Sequence, residues 1–183
     1  MRLRHLLDDY PTPASAIDPI LQRIPWQTEG PILEPCAGSG QICAAMKHRW
    51  PDRLLWAVEI NPRYADPLRA VADAVIIDDF CAWADRMAGS FTPGLIVTNP
   101  PYQGAEEILE ACFKLAGSTT QIVMLLRLSF LESRQRKPFW DRHPLTALYA
   151  LSKRPSFTGD GKTYGQGFGW FVWGPGERGI WVV

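Results

Sequence analysis

Short apolar segments alternate with longer segments of helical spacing along the first two thirds of the chain. Five of the short segments have the length and composition of buried strands: 31–33, 54–60, 74–77, 93–98 and 121–126. Helical spacing is clearest at 105–115, where apolar residues recur every three or four positions behind an acidic first turn. This alternation predicts an α/β fold with a doubly wound, mostly parallel sheet.

The last third of the chain departs from the alternation. Residues 145–151 and 168–173 are predicted to pair as a C-terminal antiparallel hairpin, which brings the sheet to seven strands. Residues 180–183 are a candidate for a further short pairing. The connection 158–167 contains four glycines, and we expect it to be mobile because ordering glycine carries a high entropy cost.

The N-terminal segment, residues 1–30, contains one helix-forming stretch. Thr12 and Pro13 have the form of an N-cap and a first helical residue. Apolar residues at 17, 20, 21 and 24 follow at helical spacing. Pro19 falls inside this stretch, so the sequence predicts one kinked helix or two short ones. We expect its apolar stripe to pack on the core as a lid.

Overall charge predicts no polyanionic partner, because the 183 residues have a formal net charge of zero. Their length favours a single domain. The charges are unevenly distributed, however, with a net −5 over residues 1–122 and a net +5 over residues 123–155. Such asymmetry indicates a local surface that faces an anion.

The most basic stretch, residues 127–143, is predicted to be a loop in which cations alternate with Phe130, Phe139 and Trp140. Two interpretations are equally supported. The cations could contact the phosphates of a nucleic-acid strand while the rings stack on its bases. Alternatively, the segment is a solvated surface loop whose rings pack on the core.

The cysteines and histidines show no metal-ligand spacing. Cys36, Cys43, Cys81 and Cys112 form no C-x-x-C pair, and none of the three histidines lies at ligand spacing from them. There is no signal peptide and no apolar run of 18 residues. We therefore expect a cytoplasmic protein with reduced thiols, no metal site and no membrane partner.

Polar residues follow the predicted strands at the points where the strands end. The carboxyl ends of parallel strands share one edge of a sheet, so these residues are expected to line one site. Gly38 and Gly40 follow the first strand and allow a ligand to approach a tight turn. Cys43 stands where a dinucleotide-binding motif needs its third glycine, which disfavours a nicotinamide oxidoreductase. Glu34, just before the turn, suits a cationic ligand.

The second and third strands end in carboxylates. Glu59 is placed to accept hydrogen bonds from both hydroxyls of a ribose. Asp79 and Phe80 could hold the amino edge and the face of an adenine. Asp78 is a candidate to cap the helix that follows.

The fourth strand ends in Asn99-Pro100-Pro101-Tyr102. The two prolines exclude a helix and stiffen the loop. The loop therefore presents an amide, backbone carbonyls and a ring face close together, a combination that can hold a planar molecule carrying an amino group. For the tetrapeptide alone a rigid turn is the simpler interpretation, but its place beside three other strand-end motifs favours a site.

Taken together, these motifs resemble those of the S-adenosylmethionine-dependent methyltransferases. The similarity is greatest to the amino-methylating group with an Asn-Pro-Pro-Tyr motif, such as small phage and prophage DNA adenine-N6 methyltransferases. Residues 34–40 resemble the glycine-rich motif of the family, and residues 10–13 resemble its N-terminal cofactor motif. The resemblance implies a Rossmann-like methyltransferase fold in one domain, 1–183, with S-adenosyl-L-methionine as cofactor.

The resemblance also implies a role for each matching residue. It makes Asn99, Pro100, Pro101 and Tyr102 catalytic. The implied cofactor-binding residues are Tyr10, Thr12, Pro13, Glu34, Cys36, Ala37, Gly38, Gly40, Glu59, Ile60, Asp79, Phe80 and Asn99. The candidate substrate-binding residues are Tyr102, Arg127, Arg134, Arg136, Lys137 and Phe157.

The implied reaction is methyl transfer to the exocyclic amine of a nucleic-acid base, with adenine N6 in DNA favoured over RNA. Asn99 and the Pro100 carbonyl would accept the amino hydrogens, while Tyr102 and Phe157 would enclose the ring. We expect no separate target-recognition domain, which leaves residues 127–143 and 158–167 as candidate substrate loops. The alternatives are a methyltransferase for RNA base amines or protein glutamine, and a non-catalytic regulatory protein that binds the cofactor.

Overall fold

A mixed sheet of eight strands forms the centre of the molecule. The structure, a computed structural model, describes residues 11–26, 29–157 and 165–183. The strands are β1 (Ile32–Glu34), β2 (Leu55–Glu59), β3 (Ala74–Ile77), β4 (Leu95–Thr98), β5 (Gln121–Arg127), β6 (Ala147–Ala150), β7 (Phe168–Trp173) and β8 (Gly179–Val182). Their order across the sheet is β3-β2-β1-β4-β5-β7-β6-β8.

The first five strands are parallel to one another. β1 is central, and all three of its residues are buried. A parallel strand of this kind is covered on both faces, which explains why the apolar segments of the sequence are continuous rather than alternating. The predicted α/β, doubly wound and mostly parallel sheet is therefore confirmed.

Helices cover both faces of the sheet. The α-helices are α1 (Ala14–Arg23), α2 (Gln41–Arg49), α3 (Ala65–Arg69), α4 (Phe80–Met87), α5 (Ala105–Leu115) and α6 (Lys137–Arg142). Short 3₁₀ helices occupy Pro62–Tyr64, Leu128–Leu131 and Arg134–Arg136. Apolar residues of α1, α2 and α3 form one core cluster with one set of strand side chains. Those of α4, α5 and α6 form the second cluster, against the alternate strand side chains.

The C-terminal strands extend the sheet in a mixed arrangement. β7 runs antiparallel to both β5 and β6, which confirms the predicted hairpin. β8 then pairs in parallel with β6, which confirms the candidate pairing at residues 180–183 and makes eight strands in place of the expected seven. The ring of Trp181 stacks on Tyr149 at 4.9 Å and fixes the added strand. This pairing depends on a contact between segments, which the short apolar run alone does not specify.

The N-terminal helix is continuous through Pro19 and does not divide into two. Burial of Ala16, Ile17 and Ile20 holds it against the core, and this packing outweighs the one backbone hydrogen bond that proline cannot make. The helix begins at Ala14, with Pro13 at the N-cap position and no capping side chain. The prediction that Thr12 caps this helix is therefore wrong.

The basic segment 127–143 is not a loop. It consists of two 3₁₀ turns and α6. Phe130 and Phe139 are buried, and the ring of Trp140 stacks on that of Trp173. The rings are therefore core residues, as the second interpretation of this segment expected. Within the described ranges no helix is long and apolar enough to cross a membrane, and no group of three potential metal ligands occurs.

Candidate active site

A cleft opens along the carboxyl edge of the parallel strands. It brings together residues from the N-terminal segment and from the ends of β1, β2, β3 and β4. The predicted site residues that line it are Thr12, Glu34, Cys36, Ala37, Gly38, Glu59, Ile60, Asp79, Phe80, Asn99, Pro100, Pro101 and Tyr102. Those that do not are Pro13, Gly40, Arg127, Arg134, Arg136, Lys137 and Phe157. Tyr10 and most of the 158–167 loop lie outside the described residues.

The glycine turn after β1 is tied to the end of β2. The Gly38 N–H donates to Glu59 Oε2 at 2.7 Å, and the Asn61 N–H donates to Glu59 Oε1, also at 2.7 Å. Gly38 has φ +51°, and a Cβ at this position would meet no atom within 4 Å. The residue therefore leaves its side of the cleft open, while Glu59 presents a carboxylate of fixed orientation beside it.

Gly40 contributes to packing rather than to the cleft surface. Its φ is +87°, a left-handed conformation that favours glycine. A Cβ would approach Val71 Cγ2 at 3.0 Å and Leu68 Cδ2 at 3.2 Å. Gly40 thus lets the N-terminus of α2 pack closely on Leu68 of α3 and on Val71 just beyond that helix.

Glu34 is buried at the back of the cleft, where it accepts a hydrogen bond from the Cys43 thiol at 2.7 Å. Burial raises the pKa of the Glu34 carboxyl well above its ordinary value, because the charged form loses its hydration. Burial also raises the pKa of the Cys43 thiol, which keeps its proton to donate. A carboxyl in this environment favours its neutral form, and so its charge is poorly suited to attract a cation.

The raised pKa of Glu34 predicts a pH-dependent stability. The folded state holds this proton more tightly than the unfolded state, so stability from this group is full below pH 4.5 and falls as the pH rises toward the folded pKa. The decline is at most about 1.4 kcal/mol per pH unit. Glu34→Gln cannot titrate, so its free energy of unfolding should exceed that of the wild type by a margin that grows with pH. Urea unfolding across this range measures the margin.

Glu132→Gln is the matched control, because Glu132 is an exposed carboxylate outside the cleft. It should leave the pH dependence of unfolding unchanged. Parallel curves for Glu34→Gln and the wild type would contradict the assigned burial of the Glu34 carboxyl.

The two aspartates after β3 have different roles. Asp79 caps α4 by accepting from the Ala82 N–H at 3.0 Å, and Asp78 pairs with Arg86. One of the two aspartates therefore caps the helix, and it is Asp79 and not the candidate Asp78. One oxygen of Asp79 accepts this bond, and the carboxylate still lines the cleft beside Phe80, which is 5% exposed.

The loop after β4 is tied to the N-terminal segment. The Asn99 Nδ2 donates to Thr12 Oγ1 at 3.0 Å across 87 residues of sequence. Thr12 is 6% exposed, and Pro100 is also buried. With Nδ2 directed at Thr12, the Asn99 Oδ1 is the end of the amide that remains to accept a hydrogen bond in the cleft.

The ring of Tyr102 is supported from outside the cleft. The Arg127 guanidinium lies 3.8 Å from its centroid, and the ring of Phe168 lies at 5.9 Å. Phe157 packs on Phe168 at 5.1 Å and is 3% exposed. Neither Arg127 nor Phe157 lines the cleft. Arg127 contacts the Tyr102 ring directly, and Phe157 packs on Phe168, which contacts that ring.

No protein-family model and no curated protein matches the sequence, but many solved structures share its fold. PH1948 from Pyrococcus horikoshii, provisionally assigned as an RNA methyltransferase, has a TM-score of 0.66 at 14% identity, over 90% of this chain and 86% of its own. The precorrin-6y C5,15-methyltransferase from Geobacter metallireducens has a TM-score of 0.59 at 18% identity, over 92% and 96%. Human methyltransferase-like protein 13, in complex with SAH, has a TM-score of 0.58 at 15% identity, over 89% and 80%.

The chain has the Rossmann-like methyltransferase fold. Identities between 14% and 18% establish the fold alone. The chemistry of the cleft has to be inferred from the residues of this chain.

Most cations of the basic segment are paired with carboxylates. Arg136 stacks on Phe130 and lies 3.5 Å from Glu106, and Arg142 pairs with Glu110 at 2.6 Å. Lys137 pairs with Asp141 within α6. Among the described residues Arg134 and Arg127 have no carboxylate partner. Two of these cations are thus paired with carboxylates of α5 and one within α6, all as weak surface ion pairs.

Several cleft residues were not predicted from the sequence. The lining residues outside the predicted site sets are Pro11, Pro35, Ser39, Gln41, Ile42, Asn61, Tyr64, Asp78, Cys81, Gly104, Glu107 and Ile108. Most lie one to three residues beyond a predicted motif, in the first turn of the following helix or in the turn before it. In a parallel α/β sheet the first turn of each helix lies at the carboxyl ends of the strands. That rule could have identified these residues from the sequence.

Proposed function

We propose that this protein is an S-adenosylmethionine-dependent methyltransferase, formed as one domain over residues 1–183. Its acceptor is the exocyclic amine of a nucleic-acid base, with adenine N6 in DNA as the leading candidate. One observation carries the proposal: Asn99 lines a cleft whose other walls suit a nucleoside, and its amide nitrogen is bound to Thr12, which leaves the amide oxygen to accept a hydrogen bond. The methyltransferase fold, shared with a structure that holds SAH, supports the choice of cofactor.

The residues of the cleft fit this cofactor. Each oxygen of Glu59 accepts one backbone N–H, and the carboxylate lines the cleft, where ribose hydroxyls would donate to it. The second oxygen of the Asp79 carboxylate can accept a hydrogen bond from the adenine amine of the cofactor, and Phe80 can pack on the adenine ring. Gly38 leaves space for the ligand backbone. The N-terminus of α2, where a helix has N–H groups without partners inside the helix, lies at the cleft through Gln41 and Ile42. When bound, the cofactor supplies an electrophilic methyl group on a sulfonium.

The acceptor amine is a weak nucleophile, because its lone pair is delocalised into the ring. The Asn99 Oδ1 and the Pro100 carbonyl would accept the two amino hydrogens, which localises the lone pair and aims it. Positioning and a preorganised polar environment would then supply most of the acceleration. A base in a duplex is inaccessible to such a cleft, so it would be flipped out of the stack.

The Tyr102 ring is the proposed platform for the target base. Arg127 lies 3.8 Å from the centroid of this ring, and the base would stack on the part of the ring that lines the cleft, with Phe157 contributing through Phe168. An adjoining groove is lined by Tyr102, Phe130 and Arg136, and also by the carboxylates of Glu106, Glu107 and Glu110. A nucleic-acid strand could pass beside it to Arg134, which has no carboxylate partner among the described residues, and to Lys137, where a phosphate would replace Asp141.

Tyr102→Ala is expected to raise the KM for a nucleic-acid acceptor by about tenfold or more, because one base–aromatic stack contributes about 1–3 kcal/mol. Tyr102→Phe retains the ring and should stay within about threefold of the wild type. Steady-state kinetics with saturating cofactor measure both. Equal losses in the two variants would exclude stacking and point to the phenol hydroxyl.

The proposal is tested by transfer of labelled methyl from S-adenosylmethionine to four acceptors in parallel: duplex DNA, single-stranded DNA, RNA and cell protein. Label in DNA is the expected result. Label in RNA or in protein glutamine would support methyl transfer to an NH2 group but would replace DNA as the acceptor. Cofactor binding with no product on any acceptor would favour a regulatory protein instead.

A further inference from the structure

We propose that Thr12 is a positioning residue that fixes which end of the Asn99 amide faces the acceptor. The inference rests on the proposed function, and it gives Thr12 a role different from the direct cofactor contact implied by sequence resemblance. Its basis is the hydrogen bond from Asn99 Nδ2 to Thr12 Oγ1 at 3.0 Å.

The two ends of a carboxamide have opposite chemistry. The oxygen accepts hydrogen bonds, and the nitrogen only donates them. An acceptor amine must meet the oxygen, because an amide nitrogen turned toward it would place donors against donors. The hydrogen bond to Thr12 satisfies the nitrogen and leaves Oδ1 of Asn99 toward the cleft. The hydroxyl thus preorganises the amide for the amine before any substrate binds.

Thr12 is itself held firmly. It stands between Pro11 and Pro13, and a following proline restricts its backbone to extended conformations. The helix α1 begins two residues later, and its Ala16 carbonyl accepts from the buried Trp170 Nε1 at 2.8 Å. Ala16 and Ile20 are fully buried. The N-terminal segment therefore carries the Thr12 hydroxyl to Asn99 on a support that is fastened to β7.

The local geometry excludes capping as an alternative role for this hydroxyl. The N-cap position of α1 is Pro13, and no side chain caps the helix. A purely structural role would be expressed as lost stability in a Thr12 variant. A positioning role is expressed as lost turnover with saturating cofactor and acceptor.

Thr12→Val removes the hydroxyl at nearly constant volume, and Thr12→Ser keeps the hydroxyl. We expect Thr12→Val to lower kcat by about tenfold, which corresponds to one hydrogen bond of about 1.4 kcal/mol, with cofactor affinity changed less than about twofold. Thr12→Ser should restore most of the turnover. Unchanged kcat combined with weakened cofactor binding would overturn the inference and make Thr12 a cofactor ligand.

A second measurement separates this inference from the proposed function. The side-chain amide protons of Asn99 can be followed by ¹⁵N–¹H NMR in the ligand-free protein, where the bond to Thr12 slows their exchange with water. Thr12→Val should speed that exchange, and Thr12→Ser should not. Unchanged exchange in Thr12→Val would overturn the inference even in a protein that transfers no methyl.

Discussion

Asn99→Ala is expected to lower methyl transfer by about 10³-fold, the upper end of what one preorganised catalytic group contributes. The substitution removes the oxygen that would localise the lone pair of the acceptor amine. It leaves the glycine turn and Glu59 in place, so the affinity for S-adenosylmethionine should change little. Single-turnover transfer of labelled methyl measures the first quantity, and titration calorimetry measures the second.

Gln103→Ala is the matched control, because Gln103 is exposed in the same loop and does not line the cleft. Its transfer rate should equal that of the wild type. If Asn99→Ala turned over at the wild-type rate, the assignment of the Asn99 amide to the acceptor amine would be wrong. If it lost transfer and cofactor affinity together, Asn99 would be a cofactor ligand first.

Glu59→Ala is expected to weaken cofactor binding by about 10²-fold. Two hydrogen bonds from ribose hydroxyls to a carboxylate would be lost, and a net contribution of about 1.5 kcal/mol from each corresponds to about 10²-fold. The substitution also releases the N–H groups of Gly38 and Asn61, which now fix the turn. Calorimetric titration with S-adenosylmethionine measures the loss.

Glu59→Gln separates these two contributions. It keeps one side-chain oxygen as an acceptor and removes the charge, so we expect an intermediate loss of affinity. Glu132→Ala removes an exposed carboxylate elsewhere and should leave affinity unchanged. Wild-type affinity in both Glu59 variants would refute the ribose contact, whereas a lowered melting temperature alone would make Glu59 a structural residue.

Features that follow from local pattern and topology were predictable from the sequence. Buried parallel strands are continuous apolar runs, and their carboxyl ends meet at one edge. That rule alone places Gly38, Glu59, Asp79 and Asn99 around one cleft, as the structure shows. The prolines after Asn99 likewise indicated a stiff loop in place of a helix.

Features that depend on contacts between distant segments were not predictable. The hydrogen bond between Thr12 and Asn99 joins residues 87 apart, and nothing local to either residue indicates the other. The choice of Asp79 over Asp78 as a cap depends on where α4 begins and on the position of Arg86. The rings of residues 127–143 become core residues only because α5 and β7 supply a surface to pack on.

The chemistry is tested most directly by identifying the methylated product. DNA treated with the wild-type protein and labelled S-adenosylmethionine is digested to nucleosides and separated. We predict label in N6-methyldeoxyadenosine with the wild type and its loss with Asn99→Ala. Label on a ring carbon such as C5 of cytosine would contradict the proposed chemistry, because a ring carbon has no amino hydrogens for Asn99 to accept.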